Sequence, residues 1–111
     1  LKADWRVTID LPRSEVRLGC LMILCAETAL PMGGDVVVRC PEPGRWDLRA
    51  EGPRLSLDAA LWSVLRFGPA AAGRALQPAE VQFPALHLGA EELGRNVNYR
   101  AAEDVLEMST S

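Results

Sequence analysis

The sequence predicts an α+β fold, and three features carry that prediction. The opening segment alternates apolar and polar residues. A helical stretch, Val16 to Leu30, is apolar nearly all round. Two pairs of strand patterns are each joined by a tight turn, with two further helical stretches between the pairs. The resulting order is β-α-β-β-α-α-β-β. Such an order packs as a two-layer sandwich, a mixed sheet of about five strands with three helices on one face.

The first strand is read from DWRVTIDL. Trp5, Val7, Ile9 and Leu11 point one way, and Arg6, Thr8 and Asp10 the other. That alternation marks a half-buried strand and assigns Trp5 to the core. Pro12 ends it. Ser14 is the expected N-cap of the first helix, and Glu15 suits the positive end of its dipole. A helix without a polar face should be covered on more than one side, so this helix is expected to be the most buried of the three. Pro31 stops it and Gly33-Gly34 turns the chain. DVVVRC is the next strand, Pro41 to Gly44 a hairpin turn, and RWDLRAE its partner, with Trp46, Leu48 and Ala50 inward.

Ser56 is the expected cap of a short helix whose stripe is Leu57, Ala60, Leu61, Val64 and Leu65, closed by Gly68. Trp62 falls between those stripe positions. It has two open placements, an exposed contact or packing beneath the following loop. The stretch 68–77 has small residues and no period, and reads as a loop. Pro78 suits the first turn of a third helix reaching about Leu93, with Pro84 kinking it or marking its true start. Phe83, Leu86, Ala90 and Leu93 form its stripe. NVNYRA and DVLEMS close the chain as a hairpin.

The chain has 111 residues, which suits one domain, and no internal repeat or linker divides it. Its net charge of −3 gives a nucleic-acid role no support. The longest apolar uncharged run, Leu18 to Ala26, is far short of the ~20 residues that cross a membrane. Cys20, Cys25 and Cys40 lack metal-ligand spacing, and His87 is the only histidine, so a zinc set is not expected. The three cysteines read as reduced, buried thiols of a cytoplasmic protein. Ser14, Ser56 and Ser63 have no nucleophile-elbow context, which argues against serine hydrolysis. His87 sits in ALHLGAEELG. It lacks the flanking lysine or acidic residue of phosphoacceptor helices and reads as a partly exposed helix histidine.

Four local strings stand in order along the chain: DW near the start, ETALPMGG closing the first helix, AEGPR after the third strand, and a final helix, glycine, strand, strand. Their order and spacing resemble the C-terminal domain of ChpT-like histidine phosphotransferases over nearly the whole length. The resemblance implies the histidine-kinase ATPase (Bergerat-type) fold. It implies a degenerate domain that has lost ATP binding. It also implies a phosphorelay role, with a helical hairpin N-terminal to residue 1 carrying the phosphoacceptor histidine and making a homodimer. The partners implied are response-regulator receivers and the receiver of a hybrid histidine kinase, with neither nucleic acid nor membrane. Since the chain starts at Leu1 almost directly in a strand, it is expected to be a piece of a longer protein. Any self-contact of this piece is expected to stay below the ~1,000 Å² of a specific interface.

A nucleotide site of that kind needs a side-chain oxygen on the first helix for Mg²⁺, a carboxylate in a D-x-G-x-G turn for the adenine amine, and glycine backbone near the phosphates. Aligned on the resemblance, Thr28 stands where the metal-holding asparagine would be. Its hydroxyl is expected to turn back onto the helix carbonyl at i−4. Glu27 points about 100° away around the helix. Ala50 replaces the aspartate, Arg54 replaces the second glycine, and Gly52 alone remains. Losing a hydrogen bond to a charged group costs ~1.5–3 kcal/mol. The expectation is therefore no ATP, no cofactor, no metal and no catalytic residue within this segment. Two alternatives stay open: a nucleotide-binding ATPase domain of a sensor kinase, and an α+β interaction domain of unrelated function.

Overall fold

The computed structural model describes residues 1–111 as ten elements. Strands are β1 (Lys2–Arg6), β2 (Asp35–Glu42), β3 (Arg45–Glu51), β4 (Val97–Ala102) and β5 (Val105–Thr110). The α-helices are α1 (Arg13–Thr28), α2 (Ala59–Phe67) and α3 (Gln82–Glu92), with 3₁₀ turns at Pro69–Ala72 and Pro78–Glu80. One sheet runs in the order β1-β2-β3-β5-β4. β1 is parallel to β2 and every other pair is antiparallel, so the sheet is mixed as expected. A β2-to-β1 parallel pairing needs a crossover, and α1 provides it.

The alternation of β3 holds: Trp46, Leu48 and Ala50 are buried, and their neighbours face water. β5 does the same with Leu106 and Met108. The inward residues meet Leu18, Met22, Cys25 and Ala26 of α1, Leu61, Val64 and Leu65 of α2, and Phe83, Leu86 and Ala90 of α3 in one core. Trp62 is buried, with edge contacts to Phe83 and Tyr99 at ring centroids 5.2 Å apart. Trp62 is thus packed rather than exposed, with its aromatic partners on α3 and β4. Pro84 lies in the first turn of α3, where its missing N–H costs nothing.

Several sequence expectations are corrected. β1 ends at Arg6, and Val7, Ile9 and Leu11 pack against the core from an irregular connection. Trp5 is 39% exposed, with its ring leaning on Trp46 at 5.6 Å. It lies on an edge strand, where the helix layer covers only part of the indole. Ser14 caps nothing: α1 begins at Arg13, after an extended Pro12. Asp58, not Ser56, caps α2, its carboxylate accepting from the amides of Ala60 at 3.0 Å and Leu61 at 3.3 Å. Cys20 is exposed while Cys25 and Cys40 are buried. The largest correction concerns α1. The sheet and α3 cover its inner side, yet Arg13, Arg17, Cys20, Leu24 and Glu27 all face water.

Candidate functional site

The region of interest is the C-terminal end of α1 and the turns opposite it. Thr28 is exposed there. Its hydroxyl donates to the carbonyl of Cys25 at 2.7 Å, three residues back rather than four. That bond directs the only short-reach oxygen at this position back into its own helix. Glu27 is exposed on the outer side.

Ala50 lies in β3 at the centre of the sheet, in register with Val36 on one side and Leu106 on the other. It has no exposed surface. Gly52 follows in the turn. A Cβ there would stand 2.5 Å from the carbonyl oxygen of Gly33 and 2.9 Å from Cδ2 of Leu30. Across the gap, a Cβ on Gly34, whose φ is +155°, would collide with the carbonyl oxygen of Glu51. The two turns therefore pack backbone on backbone, and glycine is required at both by close approach. The segment beyond is held to the end of α1 by the amide of Ser56 donating to the carbonyl of Ala29 at 2.9 Å. Leu30 is buried between these parts. Arg54 is exposed and makes no ion pair.

The connection between α2 and α3 is pinned. The Arg74 guanidinium grips both oxygens of Glu80 at 2.8 and 2.9 Å and reaches Asp58 at 3.2 Å. Glu80 also accepts from the amide of Gln77 at 2.8 Å. The Arg74 guanidinium holds the Glu80 carboxyl down at about 2, and the Gln77 amide adds to that. Sequence reasoning missed this clasp. A capping-box spacing, Gln77 to Glu80, was present as a signal, and Asp58 directly before the helix was another.

A second charged group lies at the opposite end of α1. Glu15 is buried at 4% exposure. Its carboxylate accepts from Trp46 Nε1 at 2.9 Å and Arg95 Nη1 at 2.6 Å, and Arg95 Nη2 pairs with the other oxygen. The Arg95 hydrogen bond lowers the Glu15 carboxyl below its ordinary range. It overcomes the opposing effect of burial, with help from Trp46. Burial raises the Cys40 thiol, and the charge of Glu15 adds to this. Burial alone pushes Cys25 up, which leaves both thiols inert. Only the dipole preference of Glu15 was legible beforehand, because its partners lie 31 and 80 residues away.

His87 is largely covered, with 17% of its side chain exposed. Its Nδ1 donates to the carbonyl of Leu65 at 3.0 Å, closing the last turn of α2, and its Nε2 lies 3.5 Å from Glu91. It lines a cleft of about 330 Å³ with Arg66, Phe67, Arg95 and Asn96. A second cavity of about 340 Å³ lies over β3, β4 and β5. Thr28, Ala50, Gly52 and Arg54 line neither. No group of three His, Cys, Asp or Glu side chains is placed to share a metal ion, and no helix is long and apolar enough to cross a membrane.

Comparison with known proteins gives a consistent result. The family profile described as "Histidine phosphotransferase C-terminal domain" matches residues 1–105. No curated protein sequence matches the chain. A bacterial phosphotransferase solved at 1.7 Å superposes with a TM-score of 0.82 at 23% identity, over 99% of this chain and 55% of that one. The chain thus spans about half the length of that structure. The mycobacterial sensor histidine kinase MprB gives 0.53 at 15% identity, covering 98% of this chain and 78% of its own. The blue-light-activated histidine kinase EL346 of Erythrobacter litoralis gives 0.55 at 15%, covering 97% and 34%. At these identities the two kinases testify to a shared fold.

Proposed function

The chain belongs to the histidine phosphotransferase C-terminal domain family, and from that premise we propose that it is the docking half of a ChpT-like phosphorelay protein. In this reading a helical hairpin N-terminal to residue 1 carries the phosphoacceptor histidine and forms the homodimer. The present domain helps hold a receiver domain beside that histidine, taking phosphoryl groups from a hybrid kinase receiver and passing them to response regulators. The domain itself contributes no catalytic residue and binds neither ATP nor metal. The protein works in the cytoplasm.

The observation that carries the reading is Ala50. A nucleotide site of this fold needs a carboxylate at that position, aimed into an open pocket. Here a methyl group points into the closed core, and Leu30 and the 33–34 turn occupy the space beside Gly52. The Thr28 hydroxyl is held against its own helix by its bond to the Cys25 carbonyl, and it lacks the reach of the asparagine that would hold Mg²⁺ there. The fold has been kept and the donors have not. A domain retained on those terms contributes surface and position, as docking requires.

The test is direct. An isolated receiver domain from the same relay is titrated into ¹⁵N-labelled protein and amide shifts are followed. Saturable shifts confined to one surface are expected. Absence of any shift at millimolar receiver contradicts the docking role.

A further inference from the structure

The outward side of α1 sets a puzzle that the fold leaves unsolved. Arg13, Arg17, Cys20, Leu24 and Glu27 are exposed, and Val16 and Ile23 beside them are only half-buried. At 100° per residue all of these lie on the side away from Met22, which is fully buried. Leu24 alone leaves 48% of its surface in water. The helix carries an apolar seam with nothing on it.

The charges along that seam have an order. Arg13 and Glu27 stand seven residues either side of Cys20. Seven residues is nearly two turns, so the three side chains line up along the helix, each ~10 Å from the next. Neither Arg13, Arg17 nor Glu27 has an ion-pair partner within 4.0 Å. The stripe is therefore basic at one end, acidic at the other and apolar in the middle.

A stripe of that kind complements itself. Turned through a two-fold axis at Cys20, one α1 meets an antiparallel α1 with Arg13 facing Glu27 at both ends. Leu24 then faces Val16, and Cys20 faces its own mate. This is the pattern of an isologous contact, where the same patch serves both copies. We propose that the outer stripe of α1 is a two-fold contact between two copies of this chain. An unrelated acidic partner would answer Arg13 and Arg17 but would leave Glu27 opposed by like charge. A second copy answers Arg13 and Glu27 at both ends, while Arg17 falls opposite Ile23 and keeps its charged head in water. One helix stripe buries less than a specific interface needs. The contact is therefore weak alone, and takes hold when something else keeps two copies close. It does not depend on the docking role.

Cys20 supplies the readout. It is the one exposed thiol, while Cys25 and Cys40 are buried. Diamide takes up two hydrogens from a pair of thiols and leaves a disulfide, which forms only when the two Cβ atoms come within ~3.5–4.5 Å. The 111-residue chain is treated with diamide, and covalent dimer is followed on a non-reducing gel. Dimer is expected in the wild type and absent in Cys20→Ser. Arg13→Glu and Glu27→Arg should each slow its formation roughly tenfold by setting like charges opposite each other. The double variant Arg13→Glu with Glu27→Arg should restore the wild-type rate, because it rebuilds both pairs in reverse. All these positions are exposed, and unchanged thermal melting checks that the variants fold. A wild-type rate that ignores the charge changes overturns the proposal as chance collision. Slowing by the single variants without rescue by the double also overturns it, because the paired charges would then not face each other.

Discussion

The two ends of α1 solve opposite problems. At its N-terminal end a charged group, Glu15, is fully enclosed and fully satisfied by Arg95 and Trp46. At its C-terminal end, where an ATPase of this fold would need oxygen donors, the enclosed groups are Ala50, Leu30 and glycine backbone. Burying a charge is tolerated only with partners in place. The chain meets that requirement where it ties helix to sheet, and does without charge where a ligand would supply the other half. Polar design has been concentrated at the structural end.

The sharpest way to break this contrast is to remove one partner from the polar end. Glu15→Ala leaves Arg95 and Trp46 Nε1 without their acceptor and should cost about 3–5 kcal/mol in urea unfolding. Thr28→Ala at the other end should change stability by less than about 0.5 kcal/mol. Comparable costs at both ends would end the distinction.

Gly52→Ala comes next. A Cβ pressed against the carbonyl of Gly33 and the side chain of Leu30 should destabilise by about 1–3 kcal/mol. A neutral result would mean that the turn is looser than the close approach requires, and that Gly52 is kept for something other than packing.

The polar end should also respond to acid. The folded Glu15 carboxyl titrates below its unfolded value. Its contribution is therefore complete above the ordinary glutamate range, about pH 4.3, and is lost as pH falls through the folded value. Unfolding free energy should fall more steeply below about pH 4.3 in the wild type than in Glu15→Gln. Parallel profiles would show that the pair is not linked to folding.

The smallest effect belongs to the exposed clasp. Arg74→Ala should change global stability by at most about 1 kcal/mol, since exposed pairs contribute little. Amide exchange across residues 68–80 should nonetheless quicken, because the guanidinium joins Asp58 to Glu80. Unchanged exchange would show that the 3₁₀ turns hold themselves.

Much of this was legible in the sequence, for local reasons. Period-2 alternation in RWDLRAE and the stripe through Phe83, Leu86 and Ala90 report burial directly, and both hairpins are announced by their turns. Thr28, Ala50 and Arg54 could be named because each departs from what the resemblance requires of a nucleotide site, with Gly52 the one glycine that remains. What failed was whatever depended on distant partners. Trp5 alternates like a core residue but sits on an edge strand. Ser14 and Ser56 look like caps, yet Ser14 lies inside α1 and Asp58 is the residue directly before α2. The partners of Glu15 lie far along the chain, and the exposed stripe of α1 reads as core from composition alone. No local pattern reports which side of an apolar helix its own chain leaves uncovered.

Titration with ATP at millimolar Mg²⁺ tests most directly the proposal that the nucleotide position is filled. A ligand that binds the folded state at a hundred-fold excess over its dissociation constant adds about 2.7 kcal/mol of stability and must raise the melting temperature. We predict no shift at any ATP concentration in the millimolar range, for the wild type or for Arg54→Gly. A clear upward shift in the wild type that disappears in Arg54→Gly would contradict the account. It would mean that the position is open and that Arg54 anchors the phosphates.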